Sequence, residues 1–148
     1  MFQQTADRAD DLIERESRAR SRRVLVAEDN SEMRSLLVSA LEGQGYDVTQ
    51  CRNGDEFVDR IVTPSPGVDF DLIISDVRMP GHSGLEILDA GRQLEGFPPM
   101  ILITAFGSEA LHDRARRLGA VAVFDKPFDI DDLVSEAAAV LSSAPHER

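Results

Sequence analysis

The sequence predicts an α/β fold: a single doubly wound (βα)5 domain around a five-stranded parallel sheet. Three observations predict it. Five short apolar runs alternate with segments whose apolar residues recur at helical spacing, and mostly short loops join them. All but the second of these runs are near-continuously apolar rather than alternating, as strands covered on both faces should be. Four of the five runs end in residues that carry chemistry, and right-handed crossovers deliver parallel strand ends to one edge of the sheet. The 148 residues show no internal repeat and suffice for one core that buries about two-thirds of the unfolded surface.

Residues 1–21 read as an N-terminal extension, partly helical or disordered. Asp11/Arg15, Glu14/Arg18 and Glu16/Arg20 stand four apart with the acid first, the better order on a helix. Its apolar face is thin, so a solvated lead-in and a partner-binding helix both stay open. The domain proper, residues 22–142, begins with the strand Val24–Ala27, which ends in Glu28-Asp29-Asn30. Ser31 is expected to cap a helix with Met33, Leu36, Leu37, Ala40 and Leu41 inward, closed by Gly43 and Gly45. Tyr46–Gln50 is more polar and reads as an edge strand. After the Asn53-Gly54 turn, Asp55–Val62 is a short helix burying Phe57, Val58 and Ile61, and Thr63-Pro64-Ser65-Pro66-Gly67 cannot continue it.

The third strand, Asp71–Ser75, carries Asp76 into a turn forced by Met79-Pro80-Gly81. Ser83 caps a helix supplied with Leu85, Ile87, Leu88 and Leu94, which Pro98-Pro99 break. Met100–Ile103 is the fourth strand and ends in Thr104. Ser108–Leu118 is a helix with little beyond Leu111, Ala115 and Leu118 to bury, and Gly119 closes it. Val121–Phe124 is the fifth strand and ends in Asp125-Lys126-Pro127. Asp129 is expected to cap the last helix, with Ile130, Leu133, Val134, Ala137, Ala138 and Leu141 inward, leaving residues 143–148 as a tail.

Composition narrows the function. The net charge is −11, about −12 of it in residues 24–148, which argues against direct nucleic-acid binding by the body of the chain. An acidic core that clusters carboxylates suits a divalent cation. No apolar run reaches the ~20 residues of a membrane span, and the opening lacks the order of a secretory signal. One cysteine, Cys51, permits no internal disulfide, so a cytoplasmic setting is expected. Of the 16 basic residues fifteen are Arg, and Lys126 is the single lysine. Its compact ammonium on a flexible stem does what Arg's planar fork cannot do at a tight site.

In strand order 2-1-3-4-5, strands one and three are neighbours where the winding reverses, which brings Asp29 beside Asp76. Glu28, Asp29 and Asp76 in one crevice repel unless a cation neutralises them. Mg²⁺ takes such hard oxygen ligands. Asp76 could then attack phosphorus as a carboxylate nucleophile, with Lys126 as cation and Thr104 as hydroxyl donor for the phosphoryl oxygens. Singly, an Asp at a turn, a Thr at a strand end and a surface Lys are ordinary. Together at matching strand ends they make a candidate site.

At Val24–Asn30, Ile73–Gly84, Ile101–Gly107 and Gly119–Phe128 the chain resembles the receiver domain of two-component response regulators, a flavodoxin-like fold. The resemblance covers roughly residues 22–142. It implies that Asp76 is phosphorylated by a histidine kinase or histidine phosphotransfer protein. It implies a Mg²⁺ held by Asp29, Asp76 and the backbone carbonyl of Arg78, with Glu28 holding a metal-bound water. Thr104 and Lys126 would contact the phosphoryl group, and the Lys126-Pro127 bond would be cis. Arg78 and Phe106 would flank the path of hydrolytic water. The sequence departs from the pattern at Val123, where the family usually places an aromatic residue that swings inward with Thr104, and at Glu28, where Asp is commoner. Val123 is stiff and short, and Phe124 faces the other way. His82, His112 and His146 receive no chemistry.

The expected function is a stand-alone phosphoacceptor, not an enzyme, acting through contacts with an unidentified downstream protein. A phosphorelay intermediate and a receiver fragment of a larger regulator are the alternatives. A phospho-aspartyl phosphatase would usually place a second Asp where Arg78 stands. A homodimer through the fourth helix, fifth strand and fifth helix, or through the N-terminal extension, stays open.

Overall fold

The computed structural model describes residues 21–62 and 70–143. The expected extension and tail, save for Ser21 and Ser143, and the Pro-rich loop lie outside them. Among the described residues five strands, β1 (Arg23–Ala27), β2 (Asp47–Cys51), β3 (Leu72–Asp76), β4 (Met100–Thr104) and β5 (Ala122–Asp125), alternate with five helices, α1 (Ser31–Glu42), α2 (Gly54–Val62), α3 (Gly84–Gly91), α4 (Glu109–Arg117) and α5 (Ile130–Ser143). The sheet is wholly parallel in order β2-β1-β3-β4-β5. This is the flavodoxin-like architecture the alternation implied.

Strand composition follows position. β3 and β4 lie inside the sheet, and all their residues are buried. β2 and β5 are the edges and carry half-exposed side chains. Alternation along the strands sorts the core into two layers. Leu25, Ile73 and Leu102 pack with Phe57 of α2, Leu85 and Leu88 of α3 and Ala115 of α4. Val24, Val26, Ile74 and Ile103 pack with Leu37 and Leu41 of α1 and Leu133, Ala137 and Leu141 of α5. Val123 joins the first layer and Phe124 the second, so Phe124 does face away from Val123.

Several local expectations shift. Asn30, not Ser31, caps α1: it is extended (φ −76°, ψ 118°) and its side chain accepts from the Met33 amide at 2.9 Å. Ser31 already lies inside the first turn. Leu36 is exposed and Val38 buried, because the inward stripe of α1 runs through Leu37, Val38 and Leu41. Leu94 is 58% exposed, since α3 stops at Gly91. Ser83 caps α3, as expected, and Ser108 caps α4. The Asp129 carboxylate accepts from the Asp131 amide at the start of α5, and that helix runs to Ser143.

Candidate functional site

Register builds the site. Ala27 is level with Ser75, so the next residues out, Glu28 and Asp76, leave β1 and β3 side by side. Asp76 is level with Ile103 and Thr104 with Asp125, so Thr104 and Lys126 follow one step further along the same edge. The Lys126 amide donates to the Thr104 carbonyl at 2.8 Å, which continues the β4–β5 ladder past its last strand pair.

The acids converge. One carboxylate oxygen each of Glu28, Asp29 and Asp76 lies within 4.8 Å of the others. Glu28 is fully buried, Asp76 is 6% exposed, and Asp29 opens to solvent. Asp76 Oδ1 accepts from the Arg78 amide at 3.1 Å and Oδ2 from Lys126 Nζ at 2.8 Å. Lys126 Nζ also stands 2.7 Å from Glu28 Oε1, and the Asn30 amide donates to Glu28 Oε2 at 3.1 Å. No donor other than that ammonium reaches Glu28 Oε1.

Electrostatics follow from this packing. Burial pushes the Glu28 carboxyl up to about 7; Lys126 pulls it down, and Asp76 adds to the rise. Burial opposes the Lys126 charge, but its hydrogen bonds to Asp76 and Glu28 prevail and raise its pKa. Lys126 therefore stays cationic. Three carboxylates that share one ammonium, two of them buried, fit a hard divalent cation. Glu28, Asp29 and Asp76 could hold it. The Thr104 hydroxyl is 1% exposed and accepts from the Phe106 amide at 3.1 Å, which leaves its own O–H to donate.

Glycines fit the Asp76 loop closely. A Cβ at Gly84 would lie 2.5 Å from the Asp76 carbonyl oxygen, and one at Gly54 would overlap the His82 backbone. Gly81 adopts φ +94°, a conformation that only glycine takes up freely. The loop can lie on α2 and α3 only because these positions lack side chains. Above it the Arg78 guanidinium stands 5.0 Å over the Phe106 ring. The Lys126-Pro127 bond is cis.

All six site residues expected from sequence lie at this edge; Arg78 contributes its backbone amide to Asp76. Sequence reasoning missed Asn30, whose backbone holds Glu28 while its side chain caps α1. It also missed His112, whose Nε2 lies 3.0 Å from both oxygens of Asp125. A Ser or Asn immediately before a helix was the available signal for the first. Nothing in the linear sequence pairs residues 112 and 125.

Comparisons with known proteins agree with this fold. The response regulator receiver domain family matches residues 24–138. The response regulator receiver protein CpdR of Brucella abortus is 33% identical over 123 residues, covering 83% of this chain and 99% of CpdR. The transcriptional regulatory protein FixJ of Bradyrhizobium diazoefficiens is 32% identical, covering 82% of this chain but 57% of FixJ, so the chain spans about half of that relative. Among solved structures, response regulator protein TrrA of Thermotoga maritima in complex with Mg²⁺-BeF superposes with TM-score 0.68 at 29% identity, covering 81% of this chain and 99% of TrrA.

Proposed function

The chain belongs to the response regulator receiver domain family of two-component signalling, and we propose that Asp76 is its phosphoacceptor. The donor is a phosphohistidine on a histidine kinase or a phosphotransfer protein. In the transfer an Asp76 carboxylate oxygen forms the new bond to phosphorus. The N–P bond breaks, and its electron pair returns to the departing imidazole. The supporting observation is the convergence on Asp76: a buried carboxylate at a strand end, held by Lys126 and the Arg78 amide, with two further acids within 4.8 Å.

Each neighbour has a part in this reading. Lys126, bonded to Asp76 Oδ2 in the resting chain, passes to a phosphoryl oxygen. The Thr104 O–H supplies a second donor. Asp29, Asp76 and the Arg78 carbonyl would hold Mg²⁺, and Glu28 would hold one of its waters. When bound, the cation offsets the charge of the transferring phosphoryl oxygens. Arg78 and Phe106 cover the approach to Asp76 and set how fast water reaches the acyl phosphate. The phosphorylated chain then signals through contacts with another protein, and onward transfer to a histidine is the relay form of the same chemistry.

No helix among the described residues is long and apolar enough to cross a membrane. The single buried thiol of Cys51, pushed up to about 11 mainly by burial, stays protonated and unreactive, which suits a reducing cytoplasm. Incubation with acetyl phosphate and Mg²⁺, followed by intact mass, tests the proposal. One phosphoryl group should appear on the wild type and none on Asp76→Asn. An adduct that survives in Asp76→Asn overturns it.

A further inference from the structure

Beside the phosphoacceptor pocket lies a second polar arrangement that phosphoryl transfer does not use. The end of β5 sends two neighbouring side chains apart, as a strand must. Lys126 turns into the carboxylate cluster, while Asp125 turns toward α4, where both its oxygens lie 3.0 Å from His112 Nε2. The His112 side chain is 26% exposed and the Asp125 side chain 56%, so the contact is open to water on the Asp125 side. Gly107, three residues after Thr104, completes the arrangement. A Cβ built there would overlap Asp125 Oδ1 and stand 3.1 Å from His112 Nε2. Its φ is not positive, and the atoms a Cβ would meet are the ends of the Asp125 and His112 side chains, so the glycine lets that pair meet close against the loop.

The tie matters because α4 has little else to hold it. Only Ala115 is fully buried, and Leu111 and Leu118 are partly so. Elements with few apolar anchors open at low cost. One polar contact can therefore decide the position of such a helix. The three tied residues come from three segments: the β4–α4 loop, α4 itself and β5. Two of them border the pocket directly. Asp125 is level with Thr104 and precedes Lys126, and Gly107 shares its loop with Phe106, whose amide holds the Thr104 hydroxyl.

The geometry points to the His112–Asp125 contact as the link that passes the state of the Asp76 pocket to α4. This rests on Asp76 being the phosphoacceptor. When Lys126 leaves Asp76 for a phosphoryl oxygen and Thr104 draws its loop inward, Asp125 and Gly107 shift against each other. No Cβ cushions that movement, so it reaches His112 and re-sets α4. Val123, half-buried and packed in the core layer, need not move. The surface that changes is a cleft of about 550 Å³ lined by Glu109, His112, Asp113, Arg116 and Asp125, which a partner protein would read.

The test is backbone and histidine-ring NMR of the full chain with Mg²⁺, before and after beryllofluoride, for wild type, His112→Ala, Gly107→Ala and Asp125→Asn. Beryllofluoride should bind at Asp76 in all four, giving the same shifts at residues 28–30 and 76–78. Shifts of the α4 amides, residues 109–117, should fall by more than half in His112→Ala and Gly107→Ala. The His112 ring signal should move on binding in wild type and stay still in Asp125→Asn, a response that a merely structural contact would not give. Wild-type α4 shifts in His112→Ala, or a stationary His112 ring in liganded wild type, overturn the link while leaving the phosphoacceptor reading intact. No binding to the wild type at all removes both.

Discussion

Glu28 gives the most direct physical test of the pocket. Its carboxyl is raised from 4.5 to about 7, chiefly by burial. Between those values the unfolded chain has released the proton and the folded chain has kept it. Folding stability is thus greatest below about pH 4.5, falls as pH rises through the window, and is flat above about pH 7. At about 1.4 kcal/mol per tenfold change in proton affinity, the ceiling on that loss is about 3 kcal/mol. Residual hydration of the pocket makes about 2 kcal/mol the working expectation. The perturbation is Glu28→Gln, which keeps the shape and removes the ionisation. The assay is urea unfolding of both proteins in EDTA from about pH 4.5 to pH 8. Other titrating groups are common to both, so the difference between the two curves isolates Glu28. Wild type should lose about 2 kcal/mol relative to Glu28→Gln on going up in pH, and Mg²⁺ should recover much of it, because a cation favours the ionised acid. Parallel pH profiles would refute the claim that Glu28 ionises at a cost.

Three further outcomes follow from the same geometry. Lys126→Arg should lower the rate of phosphorylation by acetyl phosphate at least about tenfold, since a planar fork cannot place one nitrogen between Asp76 and Glu28; wild-type rates would show that charge alone suffices. Gly84→Ala puts a Cβ 2.5 Å from the Asp76 carbonyl oxygen. It should cost about 1–3 kcal/mol in urea unfolding and slow phosphorylation, and an unchanged midpoint would mean that the loop yields freely. Arg78→Ala removes the guanidinium over the Phe106 ring and Phe106→Ala removes the ring. Both should shorten the life of the acyl phosphate, measured by loss of radiolabel, and unchanged lifetimes would exclude the pair from the water path.

How much the sequence disclosed depends on the range of the interaction. Strand identity and order were legible because β3 and β4 open with continuous apolar runs and β2 does not, and burial on both faces has no other cheap expression in sequence. The grouping of Glu28, Asp29, Asp76, Thr104 and Lys126 was legible because a parallel sheet turns strand ends into a common edge without any knowledge of side-chain packing. Details set by packing were not. Leu36 and Val38 fit helical stripes that differ by a fraction of a turn, and only the docking of α1 on the sheet chooses between them. The Phe97 ring packs against Gly91 at the end of α3, where a Cβ would be, and no periodicity encodes that contact. His112 meets Asp125 because α4 lies across the end of β5, and no periodicity encodes that crossing.

The resting pocket also explains why a receiver with Val123 need not lack an output. Three acids face one ammonium, and burial raises the Glu28 carboxyl to about 7, so its ionisation is unfavourable. Such an arrangement costs folding free energy. A state that brings in a cation and phosphoryl oxygens regains part of that cost. The difference between the two states is what can move a poorly anchored element, and about 5.5 kcal/mol suffices to invert a 1:99 equilibrium. That difference arises at Lys126 and Thr104. From there two routes lead outward: through the side chain at residue 123, or through the backbone step to Asp125 and the loop to Gly107. Valine has one stiff rotamer axis and lies packed in the core layer, so the first route offers little travel. The second ends on a helix with a single fully buried residue. The weaker anchor yields first, and the signal leaves by α4.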